Sequence, residues 1–249
     1  MNEQNPFENA VVIENNFQPT GRTVDSSRGI EWIKQGWQLF VKNPGVWIAL
    51  TLIFGIIAIL LSMIPYLGPL AMSLLGPVFM GGIMLGCKSL AEGGELRIDH
   101  LFAGFKQNTG NLIVVGGLSL VATILIQIIG YVVGGGAVVT GASMGNLSGA
   151  GMALGGMFFA ALLVFVLSIP LFMAMWFAPA LVVFRNVPPI NALKASFSVC
   201  LKNIITVLVY VVITLVLSFI AVIPLGLGLL ILVPVMMGST YFAYVELFE

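Results

Sequence analysis

The chain has 249 residues, 59% of them hydrophobic and only 8% charged, with a mean hydropathy of +1.08. A soluble domain carries about a quarter charged residues, so this composition cannot furnish a water-facing surface and reads as an integral membrane protein. Ten basic and ten acidic side chains leave no net charge, which excludes the clustered basic face of a nucleic-acid binder.

Residues 1–28 are polar and include Glu3, Glu8, Glu14 and Asp25. They lack the basic start and short apolar core of a signal peptide and read as a flexible cytoplasmic tail. From residue 29 a membrane domain runs to 249. Residues 29–42 alternate at helical period behind the caps Ser26 and Ser27, with Ile30, Ile33, Trp37, Phe40 and Val41 on one face. Glu31, Lys34, Gln35, Gln38 and Lys42 share another, the pattern of an amphipathic helix at the membrane interface. Asn43-Pro44-Gly45 ends it.

Six apolar segments follow: Val46–Ile64, Pro69–Leu90, Leu112–Val133, Met157–Phe184, Ile204–Ile223 and Leu227–Val245. Each is long enough to cross a hydrocarbon core of ~30 Å as a helix, the only spanning form open to segments of this kind. Pro170 and Pro179 predict a kink or strong tilt in the fourth. Between the third and fourth lies Gly134–Gly156, where Gly141, Gly145 and Gly149 recur every fourth residue. As a helix, this stretch offers a close-packing face for an oligomer interface. As a loop, it needs no such role, and glycine disfavours helix.

The opening helix returns. Ile190–Asn203 aligns without gaps on Ile30–Asn43, setting Lys194 and Lys202 opposite Lys34 and Lys42, and Phe197 opposite Trp37. A fainter copy is Phe102-x-x-Phe105-x-x-Asn108. Pro77-Val78-Phe79-Met80-Gly81-Gly82 is echoed by Pro234-Val235-Met236-Met237-Gly238-Ser239. The predicted fold is all-α: six transmembrane helices in three parallel repeats, about 29–92, 97–184 and 188–247, each an interfacial helix followed by a helical hairpin. Asn43, Asn108 and Asn203 are expected to end their helices in the left-handed conformation.

All ten basic residues fall on one side of this layout, which the positive-inside rule makes cytoplasmic, with both termini there. The acidic residues and the single histidine, His100, lie on the same side. The spans hold no carboxylate or histidine, so no proton relay, catalytic pair or metal site is expected within them, and no cofactor. Asp99-His100 reads as a helix cap beside an interfacial histidine. Cys87 and Cys200 have no metal spacing and read as reduced structural thiols.

Two polar stripes step by four along the third and fifth spans: Ser119, Thr123, Gln127, Tyr131 and Thr206, Tyr210, Thr214, Ser218. They fit interhelical hydrogen bonds first, and alternatively the wall of a path for an apolar or amphiphilic molecule. Gln127 is the sharpest position, because a buried amide needs partners for both ends. Lys34, Trp37, Lys42, Lys194, Phe197 and Lys202 fit contact with lipid headgroups, and equally simple anchoring.

Gly36-Trp37-x-Leu39-Phe40-x-Lys42-Asn43-Pro44-Gly45, Gly81-Gly82, Leu101-Phe102-x-x-Phe105 and Pro188-x-x-Ala192-x-x-x-Ser196-x-x-x-Cys200-x-Lys202-Asn203 carry a resemblance. With them the chain resembles a family of bacterial polytopic inner-membrane proteins over nearly all of 29–249. That resemblance implies a homotrimer among membrane lipids, with a role in envelope integrity or lipid-related transport, and brings no catalytic residues with it.

Overall fold

The computed structural model describes residues 18–249. Among these the protein is all-helical: α1 (Arg28–Lys42), α2 (Pro44–Ser62), α3 (Leu67–Ala91), a 3-10 helix (Ile98–Phe105), α4 (Thr109–Met144), α5 (Leu147–Trp176), α6 (Ala178–Arg185), α7 (Pro189–Lys202), α8 (Ile204–Val222) and α9 (Leu229–Phe248). Six helices are long and apolar enough to cross a membrane: α2, α3, α4, α5 with α6, α8 and α9. The order is short helix, long helix, long helix, taken three times.

Each short helix crosses the second long helix of the preceding set, and the first crosses the last, which closes a ring. α1 lies on α9, the 3-10 helix on α3, and α7 on α5. The crossings are made by small residues. Gly36 abuts the Val235 carbonyl and Ser239, leaving no room for a Cβ. Gly104 does the same against the Val78 carbonyl and the Gly82 amide. At the third crossing Ser196 Oγ donates to the Met173 carbonyl at 2.7 Å and accepts from the Phe177 amide at 3.0 Å. In all three cases the short helix meets backbone four residues apart on its partner.

This geometry assigns α1 two apolar faces. Trp32, Gly36, Leu39 and Phe40 are buried against the bundle, while Ile30, Trp37 and Val41 remain exposed. Glu246 holds the start of the helix, accepting from Arg28 Nε at 2.5 Å and from Trp32 Nε1 at 2.6 Å.

The structure departs from the sequence reading in three places and sharpens it in two. Residues 18–27 are tied down where a flexible tail is expected. Gln18 and Arg22 donate their amides to Phe248 and Leu247, and Val24 donates to Asn203 Oδ1 at 2.8 Å; residues 1–17 lie outside the described residues. Only Asn108 is left-handed, at φ 58°. Asn43 (φ −151°) instead caps the next helix by accepting from the Val46 amide, and Asn203 (φ −112°) bridges Val24 and Arg22. Asp99 is not the cap of the 3-10 helix; Arg97 holds that position, with His100 Nδ1 accepting its amide at 3.0 Å.

The fourth span breaks at Phe177, immediately before Pro179, while Pro170 stays inside helix. Proline at the second position of a new helix forfeits no hydrogen bond, so the break costs less there. Finally, Gly134–Gly156 is the tip of a helical hairpin, turning at Gly145 (φ 64°) and Asn146, whose side chain caps α5 through the Gly149 amide. Gly141 and Gly149 face each other so closely that neither tolerates a Cβ. The close approach that these glycines permit is used within the hairpin.

Candidate functional site

The ring of crossings leaves α3, α5–α6 and α9 at the centre. Their helical turns at 72–80, 172–179 and 233–240 surround a cavity of about 560 Å³. Methionines dominate its wall: Met72, Met80, Met175, Met236 and Met237, joined by Phe172, Trp176, Pro77 and Pro179. No charged group lines it, and its polar atoms come from Ser73, Ser119, Tyr210 and Thr240. Two of these are committed already: Ser119 donates to the Gly116 carbonyl at 2.8 Å, and Thr240 accepts from Trp176 Nε1 at 3.3 Å and donates to the Met236 carbonyl at 3.0 Å. Toward the charged end the same three helices close on Met84, Phe177, Leu181, Tyr244 and Phe248, each under 2% exposed.

Pro77, in the cavity wall, and Pro234, between the lining residues Val233 and Met236, each remove an amide from the hydrogen-bond ladder of their helices. Methionine is unbranched and polarizable, so five of them make a wall that adapts to the shape of an apolar guest. Such a wall has the shape and polarity to receive an apolar body, and it presents no charged group to an ion.

The predicted stripes divide. Ser119 and Tyr210 reach the cavity. Tyr210 is 3% exposed, its ring 5.1 Å from Trp176 and 6.2 Å from Trp32. Thr123, Thr214 and Ser218 instead donate to the carbonyls four residues back, at 2.8, 2.9 and 2.7 Å. Thr206 donates to the Asp25 carbonyl at 3.3 Å. With its proton spent on its own helix, each of the Thr123, Thr214 and Ser218 hydroxyls needs no partner on a neighbouring helix, and none of the three lines the central cavity. Gln127 and Tyr131 are exposed and flank a separate groove between α4 and α5. They lie ~27 and ~33 Å along α4 from its charged end, at the far edge of a ~30 Å hydrocarbon layer. The amide therefore needs no buried partners.

The predicted headgroup residues divide as well. Lys42 donates to the Leu90 carbonyl at 3.2 Å and Lys202 to the Thr20 carbonyl at 2.8 Å, both tying the chain to itself. Lys34 pairs with Glu31 at 2.7 Å, and Trp37 is 49% exposed against Phe40. Lys194 is exposed, and Phe197 packs on the core from the side. Asp99 pairs with Arg97, not with His100. Cys87 and Cys200 are free and buried, and burial pushes the Cys200 thiol up to about 12. No group of three metal-ligating side chains occurs among the described residues.

The methionine wall was missed by periodicity, since Met counts there as one more apolar residue. The signal lay in the repeat, which aligns Pro77 and Met80 with Pro234 and Met237.

A probable inner membrane protein of Burkholderia thailandensis is 29% identical over 187 residues, covering 72% of this chain and 69% of that protein. No protein-family model matches the chain, and no solved structure does. With six apolar helices of spanning length, that likeness makes this chain a multi-pass inner-membrane protein.

Proposed function

We propose that the protein binds an apolar or amphiphilic molecule, a lipid or fatty acid, in the central methionine-lined cavity and moves it as part of maintaining the cell envelope. The cavity carries this reading: it is uncharged, built by all three helix sets, and at about 560 Å³ has room for most of an acyl chain. The charged face, with both termini, is the cytoplasmic one, because all the basic side chains gather there. The role is binding and movement, not catalysis.

The test is retention of ligand by the purified full-length protein, read by native mass spectrometry and by displacement of a fluorescent fatty acid. Wild type is expected to displace the probe with a saturable isotherm. Met236→Trp, which fills the cavity from an adaptable wall position, should weaken binding at least tenfold. A wild-type isotherm indistinguishable from that of empty detergent micelles would overturn the proposal.

One observation favours a second reading, a structural protein that assembles into the homotrimer implied by the resemblance. α4 is 36 residues long and α5 is 30, against 19 for α2 and α8. At 1.5 Å per residue α4 reaches ~54 Å, about 20 Å beyond the hydrocarbon layer. The projecting part exposes Val139, Leu147, Leu154 and Phe158. An apolar projection of this size fits contact between copies. Cross-linking of membranes from cells producing single-cysteine Leu154 variants distinguishes the readings. Discrete trimer bands support assembly, and monomer alone contradicts it.

A further inference from the structure

A second cavity lies outside the ring, in the angle between α1 and the α8–α9 hairpin. It measures about 640 Å³. Its roof is Lys34, Trp37 and Gln38 on α1, and its floor runs down Ile220, Pro224 and Ile231 toward the far turn. The floor is open to the membrane, with Ile220 56% and Ile231 41% exposed. One end is thus polar and the remainder apolar over a length of several helical turns, the outline of a single membrane lipid.

The equivalent angle elsewhere in the ring is not open. Between the 3-10 helix and the α2–α3 hairpin, Phe79 meets Phe54, Phe102 and Phe105 at ring separations of 5.5, 6.1 and 5.3 Å. There side chains of the protein occupy the angle, and Asp99 stands where Lys34 would align. The α1 groove has one aromatic ring in its lining, Trp37 at its roof, leaves its floor free of such rings, and keeps a lysine at its mouth. Simple lipid exposure would not require this difference, since both angles face outward from the same bundle.

Lys34 at the roof, with Glu31 paired to it just outside the lining, narrows the headgroup. Lys34 Nζ lies 2.7 Å from Glu31 Oε1, and both are accessible. The pair has no net charge. A headgroup bearing both a phosphate and an ammonium complements it with both ends, phosphate on Lys34 and ammonium on Glu31. An anionic headgroup would satisfy Lys34 and face Glu31 with like charge.

We infer that the α1/α8–α9 groove is a phospholipid site selective for an amine-bearing zwitterionic headgroup, with Lys34 and Glu31 at the head and one acyl chain along Ile220 and Ile231. The inference is independent of the central cavity, which shares no lining residue with this groove. Because the acyl chain leaves one apolar surrounding for another, its retention through detergent exchange rests on packing along Ile220 and Ile231 and on the headgroup contacts.

The experiment is native mass spectrometry of the full-length protein equilibrated in micelles containing equal palmitoyl-oleoyl phosphatidylethanolamine and phosphatidylglycerol. Wild type is expected to retain one phosphatidylethanolamine per chain, at least fivefold over phosphatidylglycerol. Ile231→Trp and Ile220→Trp each fill the floor from an exposed position that the fold does not depend on, and each should reduce retention at least fivefold. Lys34→Gln should abolish the preference between the two lipids. Thermal unfolding of each variant, unchanged within experimental error, confirms an intact fold, and either floor variant suffices if the other misfolds. Equal retention of the two lipids by wild type, or wild-type retention in the floor variants, would overturn the site. The fatty-acid isotherm of the central cavity is unaffected by these variants, so the two proposals fail separately.

Discussion

The α2–α3 and α4–α5 hairpins are both apolar enough to span a membrane, yet they are used differently. α3 has half of its most apolar stretch buried, whereas that share is 17% in α4 and 11% in the span formed by α5 and α6. The first hairpin is short enough to end at the far membrane face, and its second helix becomes a wall of the central core. The second overruns that face, and only its charged-side half joins the ring. The buried helix is the less apolar one, with a mean hydropathy of 1.8 for α3 against 2.6 for α4, and it is also where small residues let a short helix cross. Gly82 on α3 and the Met173–Phe177 turn of α5 are such points. Beyond them, α5 has only α4 to pack on, glycine against glycine.

The contrast can be broken most severely at the crossings. Gly36→Leu should destabilise the fold by about 3 kcal/mol or more, because backbone of α9 stands where the side chain must go. The Gly45→Ala and Gly55→Ala controls on α2 meet nothing within 4 Å and should cost nothing measurable in thermal unfolding. Ser196→Ala ranks next, at about 2 kcal/mol, since it orphans the buried Phe177 amide at the helix break. Ser218→Ala is its control and should be near neutral, as Ser218 only doubles up on a carbonyl within its own helix.

Gly141→Leu should act locally. Wedging Gly149 away opens the hairpin tip, so amide exchange should rise across 137–153 while the ring residues keep their protection. Global unfolding of this variant would mean that the tip is part of the core after all. The smallest effect belongs to Gln127→Leu. An exposed amide without a hydrogen-bond partner among the described residues contributes little, and stability should change by less than about 0.5 kcal/mol.

How far these features can be read from sequence follows from their range. Helix starts were legible because Asn43-Pro44, Asn203 and the charge-free runs behind them are local signals. The ring was not, because it joins Gly36 to Val235 and Ser239 across nearly 200 residues, and a glycine inside a helix does not say what it faces. The stripes show the converse failure. A period of four placed Thr123, Thr214 and Ser218 correctly on one face each, but the same period lets each hydroxyl reach the carbonyl one turn back on its own helix. The tip misled because glycine's low helix propensity was set against an unseen gain, the contact between Gly141 and Gly149. Of the central site, Ser119 and Tyr210 were legible through their polarity, whereas the methionines were hidden among other apolar residues.

The central claim is that an acyl chain sits between α3, α5–α6 and α9. Photo-crosslinking with a fatty acid carrying a diazirine near its methyl end, followed by peptide mapping of the full-length protein, tests it most directly. The account predicts adducts concentrated at 72–80, 172–179 and 233–240, lost on Met236→Trp. Adducts confined to the outward faces of α2, α4 and α8, unchanged in that variant, would contradict it.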